Sequence, residues 1–164
     1  MTQLFVPYVR KGRLYLGDGE VDINHCTLGD LKDFFPVPSI YYQVKDDEGN
    51  LVFMFIFDIE LGEVQLMVDP IHDKVLHLEI ELFDDLDLEK FLKLLDRWRQ
   101  RNYQYLQDEG EVYLLFNRNF LARLSANHSK VSGLIFVNRD FLKICDTALT
   151  KEIIRQSECL GLFN

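Results

Sequence analysis

Between residues 86 and 109 the chain carries its longest run of helical periodicity. Leu88, Phe91, Leu92, Leu95, Trp98, Tyr105 and Leu106 recur at spacings of three and four or their sums, with Asn102 as the polar interruption. At about 100° per residue they share one broad face. Asp84, Asp85, Asp87 and Glu89 gather at the start, where a helix favours negative charge, and Asp85 or Asp87 can serve as N-cap. Arg97, Arg99 and Arg101 lie in the second half, and Gly110 stands where a C-terminal glycine ends a helix. A helix over about 86–109 spans on the order of 35 Å, enough to cross a sheet.

Strand patterns lie on both sides. Leu4 to Val9 and Arg13 to Leu16 read as strands around the turn at Gly12, with Val21 to Ile23 as a short third. Thr27 to Asp30 resembles a capping box opening a short helix over 28–35, which Pro36 and Pro38 end. Ile40 to Val44 and Leu51 to Phe57 form a hairpin. The second of these has no polar alternation and is expected to be a central strand buried on both faces. Val64, Leu66 and Val68, then Leu76, Leu78, Ile80 and Leu82, alternate with polar residues as half-exposed antiparallel strands do. Glu111 to Phe116 and Val131 to Val137 are further strands, the latter weakened at Gly133. Asn117 to Ala126 suits either a helix or a strand. Asp140 to Cys145 suits a helical turn, and Thr147 caps a last helix near 148–159. The fold class that follows is α+β: an antiparallel β-meander packed against one long amphipathic helix, with shorter helices near 28–35 and 148–159, in a single globular domain over residues 1–164.

Composition narrows the function classes. A 48% hydrophobic content supports a real core, and the net charge of −9 argues against binding to nucleic acid or to an anionic membrane. The N-terminus lacks the basic and apolar regions of a signal peptide, and no apolar run reaches membrane-spanning length. Cys26, Cys145 and Cys159 form no CxxC pair, which is ordinary cytoplasmic usage.

Chemistry is sparse. Dinucleotide, phosphate-loop, serine-hydrolase and zinc-protease signatures are absent. His25 and Cys26 are adjacent, so their side chains diverge in an extended segment; a pair built from Cys145 and His128 has no support from spacing. His77, Glu79 and Glu81 alternate on one strand, facing Glu63, Gln65 and Asp69 on its neighbour. Such a set can hold a divalent metal or supply a general base, but the plainer reading is a wet sheet face, and no cofactor is expected.

The helix offers a different feature. Lys90, Lys93, Arg97 and Arg101 follow spacings of three, four and four, forming a basic stripe opposite the apolar face of an acidic chain; the plainer reading is a solvated face paired with nearby carboxylates, and the functional one is a docking strip for an acidic partner. Arg99 and Tyr103 lie off the apolar face near Trp98 and Tyr105, which are expected in the core; Trp, Tyr and Arg are the types enriched at binding hot spots. The expectation is a non-enzymatic cytosolic protein-binding module, whether adaptor, chaperone or immunity-type inhibitor, whose partner is another protein with an acidic surface. A small metal-assisted enzyme using His77 and its carboxylates is the alternative, and a homo-oligomeric structural protein is the third reading.

Overall fold

The structure, a computed structural model, describes residues 5–17, 19–35, 40–45, 49, 51–98, 100, 102–144 and 155. In chain order the elements are β1 (Tyr8–Arg10), β2 (Arg13–Leu16), β3 (Gly19–Asp22), α1 (Leu28–Leu31), β4 (Ile40–Lys45), β5 (Leu51–Asp58), β6 (Gly62–Asp69), β7 (Lys74–Asp87), α2 (Leu88–Arg97), β8 (Gln104–Asp108), β9 (Glu111–Asn117), β10 (Phe120–Leu124), β11 (Lys130–Val137) and α3 (Arg139–Ile144). The first three strands make a small antiparallel sheet. The others make one eight-stranded sheet in the order β4-β5-β6-β7-β11-β10-β9-β8. That sheet is two four-stranded meanders, β4 to β7 and β8 to β11, joined by antiparallel pairing of β7 with β11. The α+β architecture matches the sequence expectation; several boundaries do not.

The long helix is shorter than its periodicity implied. α2 ends at Arg97, so it rises about 15 Å instead of about 35 Å. Residues Gln104 to Asp108 are the strand β8. Asp108 pairs with Glu111 across Glu109 and Gly110, whose φ values are 50° and 83°. Both central residues of this two-residue hairpin are left-handed, as a type I′ turn demands. Gly110 therefore closes a hairpin and does not cap a helix. Tyr105, expected in the core, is 58% exposed on this edge strand. Trp98, also expected there, is half-buried against the core.

Leu51 to Phe57 is likewise corrected. β5 lies second from one edge of the sheet, and its residues Phe53 to Ile56 are only half-buried. The strands sealed on both faces are β9, β10 and β11. Residues 117–126, ambiguous in sequence, hold β10. The helix expected over 28–35 is a single turn, Leu28–Leu31, with Thr27 and Asp30 forming the expected capping box. Of the helix expected near 148–159 only Arg155, which is helical, is among the described residues.

One face of the large sheet shares a core with the small sheet, α1 and α2. Val64, Leu66, Leu78, Ile80, Leu134 and Phe136 meet Val9, Leu14, Leu31, Phe91 and Leu95 there. Phe91 and Leu95 are both sealed from solvent, and burying side chains of this size stabilises by about 2–3 kcal/mol each, which is what holds α2 down. The other face carries a second apolar cluster of Leu106, Tyr113, Leu115, Leu121, Ile135 and Val137, with Phe141 of α3 packed on it.

Buried asparagines tie the small sheet to the large one. Asn117 donates from Nδ2 to the Val9 carbonyl at 2.9 Å and accepts from the Asn119 N–H at 2.9 Å. Asn119 donates to Asn24 Oδ1 at 3.0 Å and to the Val137 carbonyl at 2.9 Å. Asn138 donates to the Val75 carbonyl and accepts from the Phe141 N–H. All three asparagines are buried, so each bond replaces one that water would otherwise supply. Asn119→Ala removes two of these bonds and strands the Val137 carbonyl. The expected loss is about 2–3 kcal/mol, or roughly 5–10 °C in Tm, measured by thermal unfolding; an unchanged Tm would show that the bonds carry no weight.

Candidate functional site

The solvent side of α2 is built by its N-cap and its two anchors. Asp87 accepts from the Lys90 N–H at 3.0 Å and starts the helix, while Phe91 and Leu95 fix which side faces inward. Lys90, Lys93 and Arg97 are then all exposed. Lys93 lies 3.5 Å from Glu89 in a solvent-exposed pair, which contributes little. Among the described residues, Lys90 and Arg97 have no carboxylate within ion-pair distance. Arg99 and Arg101 lie outside the described residues. Tyr103 is half-buried, with its ring 5.8 Å from Phe116 and 6.0 Å from Tyr105.

Trp98 leads into an aromatic ladder that sequence spacing did not reveal. Its ring stacks on Tyr8 at 4.3 Å, and Tyr8 stacks in turn on Tyr15 at 4.7 Å across the β1–β2 register. Phe5 lies 5.8 Å from Trp98 and is 37% exposed. These rings come from three separated segments, so no local pattern groups them.

The sheet cluster of His77, Glu79, Glu81 and Glu63 shares a face but does not converge. The register sets Glu63 opposite Glu81, Gln65 opposite Glu79 and Met67 opposite His77. Glu79 accepts from Arg123 Nη1 at 2.5 Å, and Glu63 accepts from Gln65 at 3.3 Å. His77 turns its ring toward Phe141, at 5.2 Å, and its Nδ1 is sealed from solvent with no hydrogen-bond partner. Among the described residues no three His, Cys, Asp or Glu side chains form a metal-holding group.

Arg123 is the residue in this region that sequence reasoning missed. It reaches from β10 past β11 to Glu79 on β7, crossing directly over Gly133. A Cβ at Gly133 would lie 2.6 Å from the guanidinium. A lone glycine inside an apolar strand was the available signal, since it marks a close approach as well as a weak strand.

Two Asp–His turns complete the inventory. His25 Nδ1 lies 2.8 Å from Asp22 Oδ2, and Arg139 Nη2 lies 3.0 Å from its Nε2. Arginine can only donate, so Nε2 accepts and Nδ1–H donates to Asp22. His72 and Asp69 repeat the pairing at 2.7 Å. Burial alone raises both carboxyls, but hydrogen bonds from the histidines and from backbone N–H groups outweigh it and hold them below the usual range. The neighbouring Cys26 is buried, and burial, then Asp30 and Asp22, push its thiol up to about 12, which disfavours the thiolate. No helix among the described residues is long and apolar enough to cross a membrane.

No protein family, curated protein or solved structure matches the chain, so no relative lends it a function.

Two outcomes test the sheet face. Gly133→Ala should displace Arg123 from Glu79 and cost about 2 kcal/mol, and the penalty should shrink when Arg123→Met is already present, as a double-mutant cycle in urea unfolding would read. Equal penalties in both backgrounds would sink the account. Burial holds the His77 imidazole below its ordinary 6.5, against a smaller opposing pull from Glu79. The folded state thus protonates at lower pH than the unfolded chain. The stability contributed by the neutral ring is complete above about pH 6.5 and is lost as pH falls from there through the lower folded-state pKa. The wild-type urea midpoint should drop more between about pH 7.5 and 5.5 than that of His77→Leu; parallel drops would contradict it.

Proposed function

We propose that the chain is a cytosolic, non-enzymatic protein-binding module of the adaptor, chaperone or inhibitor kind, and that the outer face of α2 is its docking strip. The observation that carries this reading is electrostatic. Lys90, Lys93 and Arg97 stand exposed on one side of a helix anchored from the other, in a chain of net charge −9. Only Lys93 has a carboxylate beside it among the described residues, and that pair is wet. A local inversion of sign of this kind attracts a negatively charged surface, steering encounter and suppressing wrong partners. The half-buried Trp98, one residue beyond Arg97, adds the aromatic component typical of interface hot spots.

The test is capture by the tagged protein from native extract, washed at low and then high salt, alongside a Lys93→Glu/Arg97→Glu variant. The expected result is a stoichiometric protein retained at low salt, released at high salt and absent from the variant, whose circular dichroism is unchanged. Retention by the variant would make the stripe an ordinary solvated face.

A further inference from the structure

β8 forms one edge of the large sheet, with β9 as its only strand neighbour. The hairpin decides which of its backbone groups are used. Asp108 and Glu111 flank a two-residue turn, so they form a hydrogen-bonded pair, and alternation makes Leu106–Tyr113 and Gln104–Leu115 the next two. The N–H and C=O groups of Tyr105 and Gln107 therefore point away from β9, and they have no partner among the described residues. Edges of this kind are ordinarily protected by a lysine, a proline, a bulge or a covering element. β8 has no lysine or proline, keeps an unbroken register with β9 and leaves Tyr105 58% exposed.

We propose that this edge pairs with itself: two copies of the chain join β8 to β8, antiparallel about a twofold axis at Leu106, and fuse their eight-stranded sheets into one. The proposal goes beyond the α2 reading and does not depend on it. A match along the strand names the second copy as occupant. An axis at Leu106 sets Tyr105 opposite Gln107 of the second copy. The two residues with outward backbone groups then exchange both hydrogen bonds, and the symmetry repeats the exchange. Leu106 meets its own copy on the face that carries Tyr113, Leu115 and Ile135, so that apolar layer continues across the axis. On the same face the Asp108 carboxylate, the one charge on the strand, lies opposite the Gln104 amide, which can donate to it. On the other face the two Tyr105 rings become diagonal neighbours, a separation that aromatic side chains span. Other registers with the same backbone pattern lose this match. An axis at Gln107 sets Asp108 against Leu106, and one at Tyr105 sets Gln104 against Leu106. A five-residue edge buries less than the roughly 800 Å² per partner of a standard interface, and each copy carries a net charge of −9. The dimer is therefore weak, and salt, by screening that repulsion, leaves it intact or tightens it.

Sedimentation equilibrium over a concentration series to about 1 mM tests the pairing, with circular dichroism as the check on folding. Wild type should pass from monomer to dimer and stay dimeric at about 0.5 M salt. Gln107→Pro replaces an outward N–H, leaves the β8–β9 bonds alone and should abolish the dimer. Gln104→Lys sets a cation opposite Asp108 twice per dimer and should tighten it about 5-fold; Gln104→Glu should weaken it by about as much. Glu60→Gln changes the net charge as Gln104→Lys does, but lies exposed in the β5–β6 turn and should not tighten the dimer comparably. The two Gln104 variants keep the backbone unchanged, so they decide the matter if Gln107→Pro does not fold. The proposal is overturned by a wild type that stays monomeric, by association beyond two copies, by a dimer lost at high salt, by a folded Gln107→Pro variant that still dimerises, or by equal behaviour of the two Gln104 variants. None of these outcomes bears on capture of a different protein by α2, which high salt should release.

Discussion

Pairing of β7 with β11 holds the molecule together. These strands are separated by α2 and three further strands, yet their contact, running from Lys130 opposite Asp87 to Val137 opposite His77, welds two local meanders into one sheet. Each meander alone offers hydrogen-bonding edges and an apolar face to water. The weld closes one edge of each and creates two continuous faces. It also decides where α2 lies, since the helix leaves the end of β7 with its first N–H bonded to the Ser129 carbonyl beside β11. The Arg123–Glu79 pair exists only because β11 stands between β10 and β7 and has a glycine at the crossing.

The small sheet depends on a second constraint, polar and buried. An apolar contact alone would let β1 to β3 slide over the large sheet. The Asn117 and Asn119 bonds to Val9, Asn24 and Val137 assign one position. A wrong docking would leave these amides and carbonyls without partners, at about 1–3 kcal/mol each. That position sets Tyr8 against Trp98, so the aromatic ladder at the end of α2 is a consequence of polar bonds made elsewhere in the core.

The surface these constraints leave exposed is electrically uneven. Carboxylates collect at the helix start for the same reason that cations collect toward its end: the peptide dipoles favour both. What stabilises α2 within the fold therefore also helps place Arg97 on its solvent side, where Lys90 and Lys93 join it. Phe83, in β7 ahead of the helix, is an exposed apolar side chain that helix stability does not require.

Much was legible in the residues themselves. Alternation in Val64 to Val68 and Leu76 to Leu82 determined two half-buried strands, Thr27 and Asp30 determined a capped turn, and the spacing of Phe91 and Leu95 determined which side of α2 faces inward. The exposure of Lys90, Lys93 and Arg97 follows from that same phase. Beyond Trp98 the local signal was degenerate. Tyr105 and Leu106 fit a helical period as well as a strand, and Gly110 suits a helix stop as well as a type I′ turn. Only the pairing of β8 with β9 separated the two. The place of β5 near the sheet edge, the sealed faces of β9 to β11, the crossing of Arg123 over Gly133 and the ladder from Phe5 to Tyr15 were tertiary decisions. The physical reason is common to them all. Hydrophobic period reports how a segment meets its surroundings, while strand order and ring stacking depend on which distant segment supplies those surroundings.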